Sequence, residues 1–465
     1  MARVCVPCIV LSVALLLASC ATSYYDMGLR YTEQENYAAA LQSFRNAYRQ
    51  DPRDLMSVRE LGVVCFRMGR YPQAEKILKV VEKKHPEDDR MLFYLAATYE
   101  KQDNLKDAID AYSHYVHAAP WSEARDQVQA KLDLMIRKQI EQDSRDLMAM
   151  ESSLNLEDIP ENTLAVLSFK NIGNKSKLNP LEKGITDMMI TDFSKVNALK
   201  VVERVRMQKM MEEMNLAQTG LVDESTAPRL GKLLGVSTLV SGTFVDAPNH
   251  QVRLDAGLID THTKSTIGTD EVRGNLTEIF KAEKRLVLDM IDRLQIELTM
   301  EEMDAIQQIP TENIFAFMAY SQGLDAEDKG LFDQANSLFS KAVQLDPGFA
   351  QAQQQLNQTT MITTGQTELS AIEKKVDQQK QNKHVAQNGT GKTVKKQNKQ
   401  SVIAREVNLQ QDKSAVGQMM HTAQVMDRGF LPGIDSRKAE SEQSTTSFGS
   451  SVDIEVEIPI PASLR

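Results

Sequence analysis

Three residues of the chain have the types and spacing of metal ligands. Asp110, His114 and His117 fall at i, i+4 and i+7, so they share one face if this segment is helical. Carboxylate and imidazole groups are common ligands of divalent metals. Such residues more often form a solvated helix face, and we therefore predict that this segment holds no metal ion.

A second segment matches a relaxed form of the phosphate-binding loop pattern. Residues 386–393 read AQNGTGKT. A functional loop needs a buried strand before it and a helix after it, because backbone N–H groups and the helix N-terminus hold the phosphate. Residues 378–384 and 395–400 show no such pattern. We predict no nucleotide binding. Since no Ser/His/Asp arrangement is present either, we expect a protein without enzymatic activity or cofactor.

Cys20 is the residue with the clearest chemical role. It follows the basic residue Arg3, an apolar run over residues 4–17 and two small residues. This arrangement resembles the bacterial lipobox, whose cysteine takes the lipid. We predict a signal peptide over residues 1–19 and a lipidated Cys20; the alternative is an ordinary signal peptide with an incidental cysteine. Ala21, rather than aspartate, follows, which in such lipoproteins implies the periplasmic side of the outer membrane.

The other cysteines offer no bridge and no metal site. Cys5 and Cys8 lie within the predicted signal peptide, so Cys65 is the one thiol left beside the lipidated residue. A single thiol forms no internal disulfide and cannot build a cysteine-based zinc site. We expect Cys65 to be a small buried apolar group.

The composition narrows the class of protein further. The 465 residues carry a formal charge of −10, and 42% are hydrophobic and 25% charged, as is usual for soluble globular proteins. The acidic balance argues against nucleic acid as a partner, because phosphate binding needs clustered Lys and Arg. Only the N-terminal apolar stretch is long enough to be considered as a membrane element, so a polytopic membrane protein is not expected.

Three prolines divide residues 20–121 into units of equal length. Pro52, Pro86 and Pro120 are separated by 34 residues, and proline ends a helix because it cannot continue one. Small and large residues keep the same register in all three units: Gly28/Gly62/Ala96, Ala40/Ala74/Ala108 and Phe44/Leu78/Tyr112. This pattern resembles the tetratricopeptide repeat. The resemblance implies three stacked helix pairs with a concave groove for peptides or partner helices.

A connecting helix and an α/β domain are predicted next. Residues 122–161 contain a helix with apolar residues on one face, followed by a linker. Residues 162–300 alternate short apolar runs with helical segments, in the order βαβαα and then βββα. This order implies a mixed sheet flanked by helices. The chain as a whole is therefore predicted to be a multidomain α+β protein.

Several segments of this domain carry a family resemblance. They are the strand Ala165–Phe169, the pair Glu203 and Arg204, and the stretch with Gly231, Gly235 and Gly242. Together they resemble the CsgG family, the curli production and transport components of the bacterial outer membrane, over about residues 162–300. The glycines suit tight turns and close helix–sheet packing. Glu203 and Arg204 are expected to be at most an ordinary surface ion pair, and neither is predicted to be catalytic.

The founding member of the CsgG family forms an oligomeric pore through membrane-spanning hairpins, and this sequence departs from that pattern. A spanning strand needs about 9–11 residues, so an inserted hairpin needs roughly twice as many. The connections at residues 246–250 and 261–264 are too short to hold one. We expect a periplasmic domain that is not the pore, and homo-oligomer formation stays open.

A further repeat and a polar tail complete the chain. In residues 301–358 the repeat register is kept by Gly323, Ala335, Phe339, Ala342 and Pro347. One repeat is not stable alone, so we expect it to dock on the α/β domain or on a partner. Polar residues dominate from 359 to 465, which predicts a disordered tail. Within it, residues 452–458 alternate Val or Ile with acids, which favours either a strand that joins a sheet edge or a frayed end.

These features favour a lipoprotein anchored in the outer membrane on its periplasmic side. We expect it to act as a protein-interaction scaffold or accessory factor in envelope secretion or in the assembly of surface structures, with protein partners in the repeat groove. Two alternatives are an oligomeric secretion pore subunit of the curli type and a binding module that regulates cell-wall synthesis.

Overall fold

The computed structural model describes residues 23–214, 226–247, 251–275 and 278–388. The chain divides into two compact units, whose described parts are residues 23–125 and 126–388. Within the described ranges, no helix combines the length and the apolar character that crossing a membrane requires.

The first unit consists of three helix pairs, as the repeat pattern predicts. Its helices are α1 Tyr24–Glu33, α2 Tyr37–Gln50, α3 Leu55–Arg67, α4 Tyr71–Glu82, α5 Asp89–Lys101 and α6 Leu105–Ala118. Five of them follow a residue whose side-chain oxygen accepts a hydrogen bond from a backbone N–H of the first turn: Ser23, Asn36, Asp54, Asp88 and Asn104. Arg70, which precedes α4, provides no such cap.

Small residues set the distance between the helices of a pair. A Cβ added at Gly28 would lie 2.6 Å from Phe44 Cε1, and one at Gly62 would lie 2.6 Å from Leu78 Cδ2. These glycines therefore allow the large side chain of the second helix to reach the backbone of the first. The predicted pairing of small with large positions is confirmed. Cys65 is fully buried, as expected for an apolar packing residue.

The second unit begins along α7 (Arg125–Ala149) and contains one mixed sheet within its described residues. Its strands are β1 Thr163–Val166, β2 Lys170–Asn171, β3 Lys200–Val201, β4 Thr238–Ala247, β5 Gln251–Asp260 and β6 Thr266–Asn275. Its further helices are α8 Leu181–Phe193, α9 Arg204–Glu213, α10 Ala227–Leu234, α11 Ile279–Arg293, α12 Met300–Gln307, α13 Ile314–Asp328, α14 Phe332–Leu345, α15 Ala350–Thr363 and α16 Leu369–Asn388.

The sheet has the strand order β3-β1-β4-β5-β6, with β2 also paired to β4. β1 runs parallel to both β3 and β4, whereas β4, β5 and β6 form an antiparallel meander. All four residues of β1 are buried, as expected of a central parallel strand covered on both faces. β5 alternates between buried and less buried residues, which is typical of an antiparallel strand. The predicted mixed sheet is confirmed.

The single C-terminal repeat shares the core of the α/β domain. Its helices α13 and α14 pair through Gly323, where an added Cβ would lie 2.5 Å from Phe339 Cε1. On the other side, α13 packs against α8, and one apolar cluster includes Ile185 of α8, Phe280 of α11 and Phe317 of α13. The C-terminal repeat therefore packs against the α/β domain of the same chain, which is one of the two docking partners that the sequence predicted.

The prediction of a disordered tail from residue 359 is wrong for residues 359–388. α15 continues to Thr363, and α16 covers residues 369–388. The segment folds because Leu369, Ile372 and Val376 recur at helical spacing and are buried. Polar groups attach the same region to α7; for example, Gln358 Nε2 donates to Asp133 Oδ2 at 2.9 Å. The possible strand at 452–458 lies outside the described residues.

Charged groups are buried between α8 and α11. Lys284 of α11 pairs with Asp192 of α8, and its Nζ lies 3.3 Å from Glu283 Oε2. Lys195 Nζ also lies 2.8 Å from Asp192 Oδ1. Glu283 is fully buried, and burial together with the charge of Asp192 raises the pKa of its carboxyl group above the ordinary value.

Glu283→Gln is predicted to flatten the pH dependence of stability. A carboxyl group whose pKa is raised in the folded state stabilises the fold while it is protonated. That stability is lost as pH rises from the unfolded pKa through the folded one. We expect the free energy of unfolding of the unsubstituted chain to fall by about 1 kcal/mol or more between about pH 5 and about pH 8. Urea titrations at several pH values test this, with the exposed Glu312→Gln as the control; equal slopes in both variants would contradict it.

Gly184→Ala is predicted to destabilise the second unit. An added Cβ would lie 2.0 Å from Ser321 Oγ and 2.8 Å from Phe317 Cζ, so α8 and α13 must move apart. In an open helix the same substitution stabilises by up to about 1 kcal/mol, whereas overpacking costs about 1–3 kcal/mol. Urea unfolding should show a net loss. The double variant with Ser321→Ala should recover part of it, and a gain in stability for Gly184→Ala alone would refute the close contact.

Candidate protein-interaction site

The C-terminal repeat shows how a repeat of this chain holds a neighbouring helix. Ser321 and Phe317, on the first helix of that repeat, surround Gly184 of α8. Tyr320 Oη donates a hydrogen bond to Asp187 Oδ2, also on α8, at 2.9 Å. The face of α13 that carries these residues is therefore occupied by a helix of the same chain.

The corresponding positions of the first unit form a network of charged and aromatic residues. Arg59 of α3 places Nη1 at 2.7 Å from Asp88 Oδ2, at the start of α5. Arg90 Nε lies 3.1 Å from Glu60 Oε1, and the Arg90 guanidinium lies 4.9 Å from the ring centroid of Tyr94. These contacts connect the first helices of the second and third repeats and hold their side chains in fixed positions.

Met56 of α3 is the residue of the second repeat that occupies the position of Phe317. It is 52% exposed, although Phe317 is 1% exposed. Arg59 likewise occupies the position of Tyr320. An apolar side chain beside fixed charged groups is suited to contact with an amphipathic segment of another protein.

Arg204 joins α9 to α8 and α13 within the second unit. Its Nε lies 3.2 Å from Asp187 Oδ1 and its Nη2 lies 3.6 Å from Glu327 Oε2, while Nη1 pairs with Asp328. The Arg204 side chain is only 10% exposed. The sequence predicted at most a surface ion pair here, and that prediction is wrong because α13 covers the position.

Two further cations neutralise the same group of carboxylates. Lys183 Nζ lies 3.0 Å from Asp328 Oδ2, and Arg137 Nη2 of α7 lies 2.7 Å from Glu327 Oε1. Burial would raise the pKa of Asp328, but the charges of Arg204 and Lys183 outweigh it and hold this pKa below its usual value. The charged side chains therefore connect α7, α8, α9 and α13.

The remaining family residues lie at turns and close packing contacts. Glu203 directly precedes α9, and its side chain caps no backbone N–H there. Gly235 ends α10 in the left-handed conformation with φ of 67°, which favours glycine. An added Cβ would lie 2.4 Å from Thr261 Cγ2 at Gly231 and 2.2 Å from Phe169 Cε1 at Gly242. These are the conformational and packing uses that the sequence suggested.

The structure forms no metal or phosphate site from the other candidate residues that it describes. Among the described residues, no group of three or more His, Cys, Asp or Glu side chains could hold a metal ion, and this includes Asp110, His114 and His117. Of the loop-like segment, residues 386–388 belong to the end of α16, and residues 389–393 lie outside the described part. Cys20 also lies outside it.

Sequence reasoning missed Gly184, Asp187 and Asp192, all on α8. A glycine inside a predicted amphipathic helix is a signal of close backbone approach, because glycine otherwise weakens a helix. Acidic residues on a helix that is otherwise mostly buried are a signal of buried ion pairs. Neither signal identifies the partner, since Ser321 and Lys284 lie far away in the sequence.

The fold thus defines a multidomain protein of helical repeats and an α/β domain with a mixed sheet. The family model described as curli production assembly/transport component CsgG matches residues 141–258. Two tetratricopeptide repeat models match residues 31–92 and 66–123. The chain therefore combines an N-terminal segment that matches tetratricopeptide repeat models with a central segment that matches the CsgG model. The repeats indicate protein–protein interaction, and the CsgG match indicates association with the cell envelope.

Several individual proteins are similar to parts of the chain. "Putative adenylate cyclase 3" of Rhizobium meliloti (strain 1021) is 23% identical over 198 residues, which cover 42% of this chain and 32% of that protein. The chain thus spans about a third of the length of that relative. The LpoB C-terminal domain from Salmonella enterica is 16% identical, with 24% of this chain and 82% of that one covered and a TM-score of 0.22. A tetratricopeptide repeat protein from Parabacteroides merdae is 13% identical, with 73% and 99% covered and a TM-score of 0.23.

Removal of the Arg204 charge is predicted to destabilise the second unit strongly. Arg204→Met leaves Asp187, Glu327 and Asp328 with less compensation in a buried site, which costs about 3–5 kcal/mol. Arg229→Met is the matched control, because Arg229 makes two short contacts with Glu151 at 2.7 and 2.8 Å but is 45% exposed.

For the control we expect a loss below about 1 kcal/mol. Urea unfolding of both variants measures the difference. Equal losses would show that Arg204 behaves as a surface group.

Proposed function

We propose that the chain is a non-enzymatic scaffold that assists envelope secretion or the assembly of surface structures. In this role the N-terminal repeats bind an amphipathic helix or extended segment of a partner protein. The second unit provides a compact CsgG-family platform. A lipid on Cys20 anchors the chain in the outer membrane, with the folded units on the periplasmic side.

One observation carries this proposal. The C-terminal repeat holds α8 through Phe317, Tyr320 and Ser321, so a first helix of a repeat in this chain does hold another helix. The first unit repeats the same helix pair three times and presents an exposed methionine, Met56, at the position of Phe317. Repeats that stack side by side form extended binding surfaces, which supports partner binding rather than catalysis.

Photo-crosslinking at Met56 tests the binding surface. We expect a benzoylphenylalanine at this position, in the full chain produced in its native host, to form discrete adducts with envelope proteins. The matched control position is Lys76, which is exposed on the second helix α4. Adducts should be at least about fivefold more abundant at position 56, because the proposed partner segment contacts the first-helix face and Lys76 lies outside it.

Two results would contradict the proposal. Equal adduct patterns at positions 56 and 76 would remove the first-helix face as the binding surface. The anchor is tested separately by Cys20→Ser, which should abolish incorporation of labelled palmitate and release the chain from the membrane fraction. Unchanged labelling in that variant would refute lipidation at Cys20.

A further inference from the structure

Three arginines lie on or directly beside the helices where the first and second repeats meet. Arg45 and Arg49 are one helical turn apart on α2, which packs against α3. Arg70 follows α3, and its backbone N–H donates to the carbonyl oxygen of Cys65 at 2.9 Å. Burial lowers the pKa of Arg45 most, and the charges of Arg49 and Arg70 lower it further.

These arginines have no anionic partner among the described residues. None of the three side chains forms an ion pair or a hydrogen bond there. Nη2 of Arg45 is shielded from solvent and has no acceptor. By contrast, Arg59 and Arg90 of the same unit are paired with carboxylates. A shielded guanidinium N–H without an acceptor is unfavourable, which is expected where a ligand supplies the acceptor.

The neighbouring start of helix α4 adds a partial positive charge. Arg70 directly precedes α4, and no side chain caps the first turn of that helix. Pro72 has no N–H, and the N–H groups of Gln73 and Ala74 donate to the Arg70 carbonyl oxygen, so the helix start contributes mainly the positive end of its dipole. This feature adds to the arginine cluster and is not the basis of the site.

We propose that Arg45, Arg49 and Arg70 form a binding site for the carboxylates of an acidic, extended polypeptide segment. Guanidinium groups bind carboxylates through two parallel hydrogen bonds, which a lysine cannot reproduce. Arg45 is only partly exposed, so an anion must approach its shielded Nη2 closely to bind it. A single side-chain carboxylate can do so, whereas a flat membrane surface contacts exposed cations such as Arg49. The site is separate from the first-helix face and does not depend on its function.

The sequence itself contains a suitable probe. Residues 452–458 alternate apolar residues with Asp453, Glu455 and Glu457, and every second residue of an extended chain projects to the same side. A synthetic peptide of residues 451–461 therefore presents three carboxylates in a row. The matched control peptide carries the amide substitutions Asp453→Asn, Glu455→Gln and Glu457→Gln. Each peptide is titrated by calorimetry into the full mature chain. In that chain Asp453, Glu455 and Glu457 carry the same amide substitutions, so that residues 452–458 of the chain do not compete with the peptide.

We expect the acidic peptide to bind and the neutral peptide to bind at least about tenfold more weakly. Arg45→Gln combined with Arg49→Gln should weaken the acidic peptide at least about tenfold. The matched double variant Lys76→Gln/Lys83→Gln, which removes the same charge from exposed positions of α4 and its end, should change the affinity less than about twofold. Arg45→Lys should give an intermediate loss, because it keeps the charge but not the paired donors.

Three outcomes would overturn the site. One is equal binding of the acidic and neutral peptides, and another is an equal loss in the two double variants. The third is arginine-dependent binding of phosphatidylglycerol vesicles together with arginine-independent binding of the peptide, which would identify a lipid site. Circular dichroism verifies that each variant is folded. If the double variant fails to fold, the single variant Arg49→Gln, at an exposed position, replaces it, and its affinity for the acidic peptide should fall about threefold or more.

Discussion

The second unit depends on the close approach of α8 and α13. Gly184 has no Cβ, and this lets Ser321 and Phe317 lie against the backbone of α8. Once the two helices are this close, their charged residues are covered, and Arg204 can reach carboxylates on both. The apolar contact thus creates the buried environment in which the ion pairs become strong enough to fix the register. A lone repeat obtains in this way the neighbour that it needs for stability.

The same repeat module therefore serves two purposes in one chain. In the first unit, each repeat buries its apolar face against the next repeat, and the shared polar network of Arg59, Glu60 and Arg90 connects the first helices. In the second unit, a helix of the α/β domain takes the place of a neighbouring repeat. The repeats of the two units differ at a few equivalent positions, such as Met56 and Phe317. They share the contact between a small residue on the first helix and a large residue on the second.

Local patterns in the sequence predicted most of the elements but few of their partners. The proline interval, the Gly28–Phe44 pair and the three long strands could be read directly, because helix pairs and antiparallel meanders are local structures. The burial of Arg204 could not be predicted from the sequence, because it follows from contacts with residues more than a hundred positions away. Helix α16 was missed because a Gln- and Lys-rich composition outweighed its three apolar residues at helical spacing.

The acidic net charge of the chain conceals how its charges are used. In the second unit, Lys183, Arg204 and Lys284 pair with carboxylates inside the fold, so that these charges hold helices together. In the first unit, Arg45, Arg49 and Arg70 have no such match among the described residues. Matched buried charges reduce the number of arrangements a domain can adopt, whereas unmatched ones cost stability until an anion arrives. A domain that retains unpaired arginines despite their cost in stability is expected to gain binding free energy at that position. The first unit is for this reason interpreted as a binding surface for partners.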